Sequence, residues 1–321
     1  MKFLILGLGQ DALLMSRHLD RLGFDYRFLC RRSSGVVDKI HFYGINKNCV
    51  IYTDVIDEAA LLRTHIGFEF THVFNFAANS FVQDSKINFE SFLRNNSSIL
   101  WSLLRFRSIV ENVWIFHPLS SEILSSSPIN GFNGVEICPR NAYGVAKAAD
   151  YYACDISRNQ GNDSLHSCVL FNHESSLRPS QFFTKKVCNY FRAEKQAQVL
   201  QIYNAKSQRD WGSAEEYMSL LLKSALSKFN GVSMLGTGHL MSVEYFIDTC
   251  FSLKNEPFEK TEYEGLLLWK SENFEVRETA RDPLDLERCI CADPNAVLEA
   301  FKERPTVKGR ALIEGLLNGS L

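Results

Sequence analysis

Phe3-Leu4-Ile5-Leu6-Gly7-Leu8-Gly9-Gln10-Asp11-Ala12 opens the chain with an apolar run, a glycine turn and the start of an amphipathic segment. Four consecutive apolar residues suit a strand buried on both faces, and Leu13, Leu14, His18, Leu19 and Leu22 then recur at helical spacing up to Gly23. The turn between them fits the dinucleotide pattern G-x-G-x-x-G/A. Glycine there permits a tight bend and lets the backbone approach a pyrophosphate, whose charge the following helix N-terminus stabilises. Gly7, Gly9, Gln10, Asp11 and Ala12 are therefore candidate cofactor contacts, although a plain strand-to-helix turn also favours glycine. The same run is too short and too interrupted for a membrane span or a secretion signal, which makes the cytoplasm the expected location.

Outward from this unit the alternation continues. Strands are expected at residues 26–30, 50–52, 72–76, 113–117 and 168–171, with helices near 57–66, 91–107 and 142–157. Short apolar runs alternating with helical segments predict an α/β fold, a Rossmann-type doubly wound parallel sheet, over residues 1–171. Residues 172–321 then read as a smaller C-terminal α/β substrate-binding domain, interleaved with the last sheet strands. Its helices are expected at 184–194, 214–228, 243–251, 295–302 and 308–317, separated by short strands and by a polar segment at 255–264. Residues 125–134, rich in Ser and Gly, read as one surface loop.

Composition narrows the function. The 321 residues carry 35 basic against 37 acidic side chains, a net charge of −2 that leaves no surplus for a phosphate backbone and argues against nucleic-acid binding. Any anionic ligand must be met by a local pocket. With 24 Phe, 11 Tyr and 4 Trp the chain can bury a large core without metals or disulfides. Its nine cysteines are scattered, as suits a reducing compartment, and Cys289 and Cys291 lack a second Cys or His pair to complete a metal site.

Two clusters carry chemistry. Cys30-Arg31-Arg32-Ser33 ends the second expected strand where an NAD site would carry an acidic residue. Two guanidiniums and the two hydroxyls of Ser33 and Ser34 suit a 2′-phosphate instead, which favours NADP, while a solvated basic turn is the plainer alternative. Tyr143-Gly144-Val145-Ala146-Lys147 places a phenol and an ammonium on one helix face. The cation lowers the pKa of the phenol, so that a phenolate can take a hydroxyl proton. About twenty residues earlier the chain has Ser120 and Glu122 just beyond an expected strand, where a hydroxyl can bond a reacting oxygen and a carboxylate can reach the neighbouring carbon. Glu122 is otherwise a solvated loop carboxylate.

Ser, Tyr and Lys in this order behind a glycine turn resemble the short-chain dehydrogenase/reductase superfamily, and the chain length suits its extended, nucleotide-sugar-modifying branch. Asn172-His173-Glu174-Ser175 and Arg209-Asp210-Trp211-Gly212 narrow the resemblance to the GDP-mannose 4,6-dehydratases, with Asn75-Phe76-Ala77-Ala78-Asn79-Ser80 and Arg31-Arg32 in support. The resemblance implies Ser120, Glu122, Tyr143 and Lys147 as the catalytic set. It implies cofactor contacts from Asp54, Val55, Phe76, Ala77, Ala78, Lys147, His173 and Arg178. Substrate contacts would come from Ser120, Asn172, Lys186, Arg209 and Arg281, with Arg209 on the diphosphate. His173, taken alone, is equally a hydrogen-bonded core histidine.

The implied activity is that of a lyase acting on a GDP-sugar with NADP, by oxidation at C4, loss of water across C5 and C6, and reduction at C6, in a dimer or tetramer without metal or membrane contact. The chain departs from the family pattern in its glycine turn, one residue shorter, in Ser120 for Thr, and in Ile123-Leu124-Ser125 after the glutamate. These leave open a C4 dehydrogenase or reductase of a GDP-sugar such as a GDP-heptose, or a noncatalytic NADP-binding relative.

Overall fold

A computed structural model describes residues 1–54, 56–78, 89–125, 127, 136–161, 163–195, 197–281 and 289–321. The expected cofactor contact Val55, together with Asn79, Ser80 and most of the 125–134 loop, lies outside them. Phe3 to Leu6 have no exposed surface, and they form most of β1 (Lys2–Leu6). There follow α1 (Gln10–Arg21), β2 (Asp25–Cys30), α2 (Ser34–Phe42), β3 (Val50–Tyr52), α3 (Glu58–Phe68), β4 (His72–Asn75), α4 (Phe89–Ile109), β5 (Trp114–Ser120), α5 (Ala142–Asn159) and β6 (Leu165–Leu170). The later elements are β7 (Asn172–Glu174), α6 (Phe183–Arg192), β8 (Leu200–Tyr203), β9 (Gln208–Ser213), α7 (Ala214–Leu226), β10 (Gly231–Leu235) and β11 (Leu240–Ser242). The chain ends with α8 (Val243–Leu253), β12 (Glu259–Tyr263), β13 (Leu266–Lys270), β14 (Glu275–Ala280), α9 (Pro294–Phe301) and α10 (Gly309–Asn318).

Two compact units divide the chain: Met1–Leu124 with Ile137–Leu170 and Met218–Met234, and Ser125–Glu136 with Phe171–Tyr217 and Leu235–Leu321. The first is built on a sheet of order β10-β6-β5-β4-β1-β2-β3, whose strands from β3 to β6 pair in parallel. Strand order reverses between β1 and β4, the switch point outside whose carboxyl ends ligands bind in doubly wound sheets. Side-chain alternation sorts the two faces. Leu4, Leu6, Val73 and Ile115 pack with Leu61, Ile99, Leu100, Leu103 and Phe106. On the opposite face Phe3, Phe74, Phe116 and Trp114 form a run of rings, with Phe3 to Phe74 at 6.0 Å and Phe74 to Phe116 at 5.8 Å.

In the second unit β7, β9 and β11 make one small sheet, and β12, β13, β14 and β8 make another. Trp211, Trp269, Phe191, Phe246, Phe251 and Phe274 fill its core. The segment 255–264, expected only as polar, contains β12, whose five residues are all exposed and pair antiparallel with β13. An edge strand with solvent on both faces has no apolar alternation to reveal it. Helix α2 was not expected either; the Ser33 hydroxyl accepts from Val36 N and caps it. Among the described residues no helix is long and apolar enough to cross a membrane, and no His/Cys/Asp/Glu cluster could hold a metal.

Candidate active site

The glycine turn lies at the carboxyl end of β1. Gly7 has φ +92°, and a Cβ built on it would stand 3.1 Å from the Ala77 backbone and the Phe76 carbonyl, so the β1 and β4 ends touch as bare backbone. Gly9 caps α1 without a side-chain hydrogen bond, and a Cβ there would meet nothing within 4 Å. A close-packed first glycine beside an open second one leaves the backbone at this helix N-terminus free of side-chain obstruction, as anion binding at a helix N-terminus needs. Gln10 is buried and donates to Asp11 Oδ1 at 3.0 Å, while Ala12 is buried in the core.

At the end of β2, Arg31 and Arg32 are exposed, with the Arg32 guanidinium 5.5 Å from the Tyr52 ring. Ser33 is engaged as the α2 cap. Lys39, absent from the sequence expectations, reaches back from α2 to donate to Leu8 O in the glycine turn at 3.2 Å. Asp54 accepts from Ile56 N at 3.3 Å in a side-chain turn. Phe76 stacks on Phe74, Ala77 N donates to Asn75 Oδ1 at 3.2 Å, and Ala78 is exposed.

Ser120 ends β5, and its hydroxyl accepts from Glu122 N at 3.2 Å, capping the short 3-10 turn Ser121–Ile123. That turn is held against the start of α5. Asn141 donates from Nδ2 to Glu122 Oε2 at 2.7 Å, and its Oδ1 accepts from Gly144 N at 2.8 Å as the α5 N-cap. A Cβ on Gly144 would stand 2.6 Å from the Glu122 carbonyl oxygen, so only glycine lets the two backbones approach this closely. Tyr143, half-buried, and Lys147, 2% exposed, follow one turn apart on α5. Lys147 Nζ donates to Pro118 O at 2.8 Å and to Asp150 Oδ2 at 3.4 Å. Ser120, Glu122, Tyr143 and Lys147 thus belong to one unit and to adjoining ends of β5 and α5. An N-cap Asn immediately before a helical run is the signal that could have revealed Asn141.

The remaining expected residues lie in the second unit. Asn172 and His173 are on β7; His173 hydrogen-bonds the Phe171 carbonyl through Nδ1 at 2.7 Å and stacks on Tyr217. Arg178 pairs with Glu174 at 3.4 Å and lies over the Phe182 ring. Lys186 donates to Gln201 O at 2.8 Å, and its neighbour Lys185 to Ser176 O at 2.7 Å. Arg209, on β9, donates to Ser207 Oγ at 2.8 Å. Its neighbour Asp210 is buried and accepts from Thr237 N, Gly238 N and Ala292 N, so it fastens loops of the unit. Burial pushes the Asp210 carboxyl up despite those bonds. Arg281 grips the buried Glu278 carboxylate through Nε and Nη2, both at 2.8 Å.

A doubly wound sheet with a glycine turn at its switch point and a Ser-Glu-Tyr-Lys set at the neighbouring strand end defines an enzyme of the extended short-chain dehydrogenase/reductase class. The fold is similar over 99% of this chain to UDP-glucose 4-epimerase from Thermus thermophilus in complex with NAD, with TM-score 0.79, 17% identity and 98% of that chain covered. RMD from Pseudomonas aeruginosa complexed with NADPH matches over 99% of this chain and 98% of its own, with TM-score 0.74 and 13% identity. In sequence the chain is 28% identical over 259 residues to GDP-mannose 4,6-dehydratase from Sinorhizobium fredii, covering 76% of this chain and 73% of that protein. The sequence profile of the GDP-mannose 4,6 dehydratase family matches residues 4–315, and the chain belongs to that family.

Proposed function

We propose that the protein is a GDP-mannose, or related GDP-sugar, 4,6-dehydratase that uses NADP and yields a GDP-4-keto-6-deoxy sugar. The observation that carries this reading is the Glu122–Asn141 contact: a carboxylate is held by the amide of the N-cap residue at the head of the Tyr143–Lys147 helix. A reductase or dehydrogenase working only at C4 has no use for it.

Gly7, Gly9 and the α1 N-terminus would hold the cofactor pyrophosphate, with Arg31 and Arg32 on a 2′-phosphate and Asp54, Phe76, Ala77 and Ala78 along the nucleoside. His173 and Arg178 are further proposed cofactor contacts. NADP, when bound, supplies a centre that accepts and returns a hydride within one turnover. Ser120 donates a hydrogen bond to the C4 oxygen, Tyr143 takes the C4 hydroxyl proton, and Lys147 stabilises the phenolate. Once C4 is a ketone the C5 proton is acidic. Glu122 takes it and delivers a proton to the departing C6 hydroxyl, so that water leaves, and the proton that Tyr143 took from the C4 hydroxyl balances the one restored to C5 when C6 is reduced. Asn172, Lys186, Arg209 and Arg281 are proposed for the sugar nucleotide, Arg209 for its diphosphate.

The protein also presents a surface suited to self-association. Val145, Ala149, Tyr152 and Ile156 are exposed along one stripe of α5, and Trp101 is exposed on α4, which packs beside it. Such a stripe of apolar residues is left over when a helix face expects a partner. A homodimer through α4 and α5 is the proposed assembly, in the cytoplasm.

Incubation of the purified protein with GDP-mannose and NADP, followed by mass spectrometry, tests the reading. A product lighter by one water, with no accumulation of NADPH, is expected. NADPH released in proportion to substrate would replace the dehydratase by a C4 dehydrogenase, and NADP binding without turnover of any GDP-sugar would replace it by a noncatalytic relative.

A further inference from the structure

Lys147 rests on a buried polar chain that the proposed chemistry does not itself require. Asp150, 1% exposed, accepts at Oδ2 from both Lys147 Nζ at 3.4 Å and His117 Nε2 at 3.0 Å. His117 is fully buried, and its Nδ1 faces Asn75 Nδ2 at 3.0 Å. The Asn75 Oδ1 accepts from Ala77 N at 3.2 Å, which leaves the amide nitrogen as the donor to His117. His117 Nδ1 is therefore an acceptor, and the ring carries its proton on Nε2, toward Asp150.

An ammonium as buried as Lys147 needs a compensating anion, because desolvation of a charge is expensive unless it is paired and hydrogen-bonded. Asp150 is that anion. The titratable groups facing it are His117 from β5 and Lys147 and Cys154 from α5. Burial lowers His117 from the usual histidine range, so the ring is neutral at pH 7, and burial pushes the Cys154 thiol up to about 12, so it is uncharged. Burial also opposes ionisation of Asp150, but the Lys147 charge and the hydrogen bonds that the carboxylate accepts from His117 and Lys147 favour the anion, and its pKa is lowered. The cluster is thus one cation and one anion with a neutral linker. Among the described residues Lys147 has two partners, Pro118 O and Asp150, which leaves one of its three protons for a ligand.

We infer that Asp150 is a positioning residue for Lys147: clamped by the neutral His117 ring, its carboxylate fixes the ammonium and balances its charge on the helix that carries Tyr143. This deepens the dehydratase reading and rests on it for the role of Lys147.

The isosteric Asp150→Asn change keeps an oxygen for both hydrogen bonds, removes the charge, and replaces Oδ1, which has no partner among the described residues, by an amide nitrogen. The unbalanced ammonium then favours the Tyr143 phenolate, and the acid limb of the kcat profile is expected to move to lower pH by about one unit. A purely structural Asp150 would lower the melting temperature and leave that limb in place, which would overturn the proposal. His117→Ala is expected to lower kcat about tenfold, as for one lost hydrogen bond to a charge, with KM within about twofold. His117→Gln, which can still donate to Asp150 and accept from Asn75, is expected to recover most of that loss; equal loss in both variants overturns the proposal, and this pair decides the matter if Asp150→Asn does not fold. NADPH fluorescence titration needs no sugar. There Asp150→Asn is expected to change Kd by about threefold or more, again as a perturbed charge-assisted contact. Should the wild-type protein turn over no GDP-sugar, the dehydratase reading falls by itself, while an unchanged NADPH Kd would separately overturn the role of Asp150.

Discussion

Asn141 joins Glu122 to the first turn of α5: its amide donates to the carboxylate at 2.7 Å while its carbonyl oxygen caps the helix at Gly144 N. One side chain thus serves stability and chemistry at once, and substitution can separate them. Asn141→Ser keeps a capping hydroxyl and loses the reach to Glu122; stability is expected to stay within about 0.5 kcal/mol of wild type. Water elimination should slow about tenfold, the effect of one lost hydrogen bond to a charge. Asn141→Ala should in addition cost about 1 kcal/mol of stability. Urea unfolding and the rate of 4-keto-6-deoxy product formation measure the two effects.

Arg31 and Arg32 are exposed at the end of β2, and no carboxylate stands in that short stretch. Arg31→Ala with Arg32→Ala is expected to weaken NADP binding about tenfold to a hundredfold, each guanidinium contact to phosphate being among the stronger hydrogen bonds, while NAD affinity changes little. Fluorescence titration with both reduced cofactors gives the ratio. An equal loss for the two would assign the pair to a solvated turn.

Arg281 meets Glu278 through two hydrogen bonds, and Glu278 is 0% exposed at its side chain and also accepts from Ala205 N and Leu267 N. Burial alone would raise the Glu278 carboxyl, but Arg281 and these backbone bonds win and lower it. Arg281→Ala leaves a buried carboxylate without its cation, a loss of about 3 kcal/mol. Thermal unfolding is therefore expected to respond more strongly than KM for the GDP-sugar.

Acid should destabilise the protein from the histidine range downward. Burial lowers His72 to about 4 and His166 to about 3. An unfolded histidine titrates near 6.5, so below that pH the unfolded chain binds protons that the folded chain refuses. The stability is complete above about pH 6.5 and falls as the pH drops toward the folded values, by up to about 1.4 kcal/mol per pH unit for each histidine. Glu278, also lowered, extends the loss through the carboxylate range. Urea unfolding at pH 7, 6 and 5 reads the slope, and His166→Gln should reduce it.

Tyr152 is 53% exposed and Ile156 56% exposed on the same stripe of α5. Tyr152→Glu with Ile156→Glu places two like charges on the proposed self-association face and is expected to convert a dimer to a monomer in sedimentation velocity, with the fold retained by circular dichroism. A wild-type monomer would remove the assembly.

Strands β1 to β6 of the large sheet were legible because buried parallel strands announce themselves locally, whereas β10 at its edge was not among the expected strands. Runs such as Phe3 to Leu6 between turn residues need no knowledge of their partners, and Gly7 follows directly on that strand with φ +92°, an angle that favours glycine. The Tyr143–Lys147 pair was legible for the same reason, since a four-residue spacing on one helix is a local property. Strand β12 was hidden because two solvated faces leave no periodic signal, and α2 because its apolar stripe is short; only Ile40 in it is buried.

The contacts around the site belong to another level. Residues as far apart as Asn75, His117 and Asp150 are individually unremarkable in sequence, and only the parallel registration of β4 with β5, and the packing of α5 on β5, brings them under Lys147. Likewise nothing local says that Gly144 must be glycine; the Glu122 carbonyl, 22 residues before it, does. By itself the sequence determined the strands β1 to β6, the glycine turn and the one-helix spacing of the phenol and ammonium, because those depend on short-range backbone sterics and side-chain period. The tertiary structure alone decided which charge balances Lys147 and which amide holds Glu122, because hydrogen bonds of about 3 Å between distant segments exist only once the sheet has fixed their register.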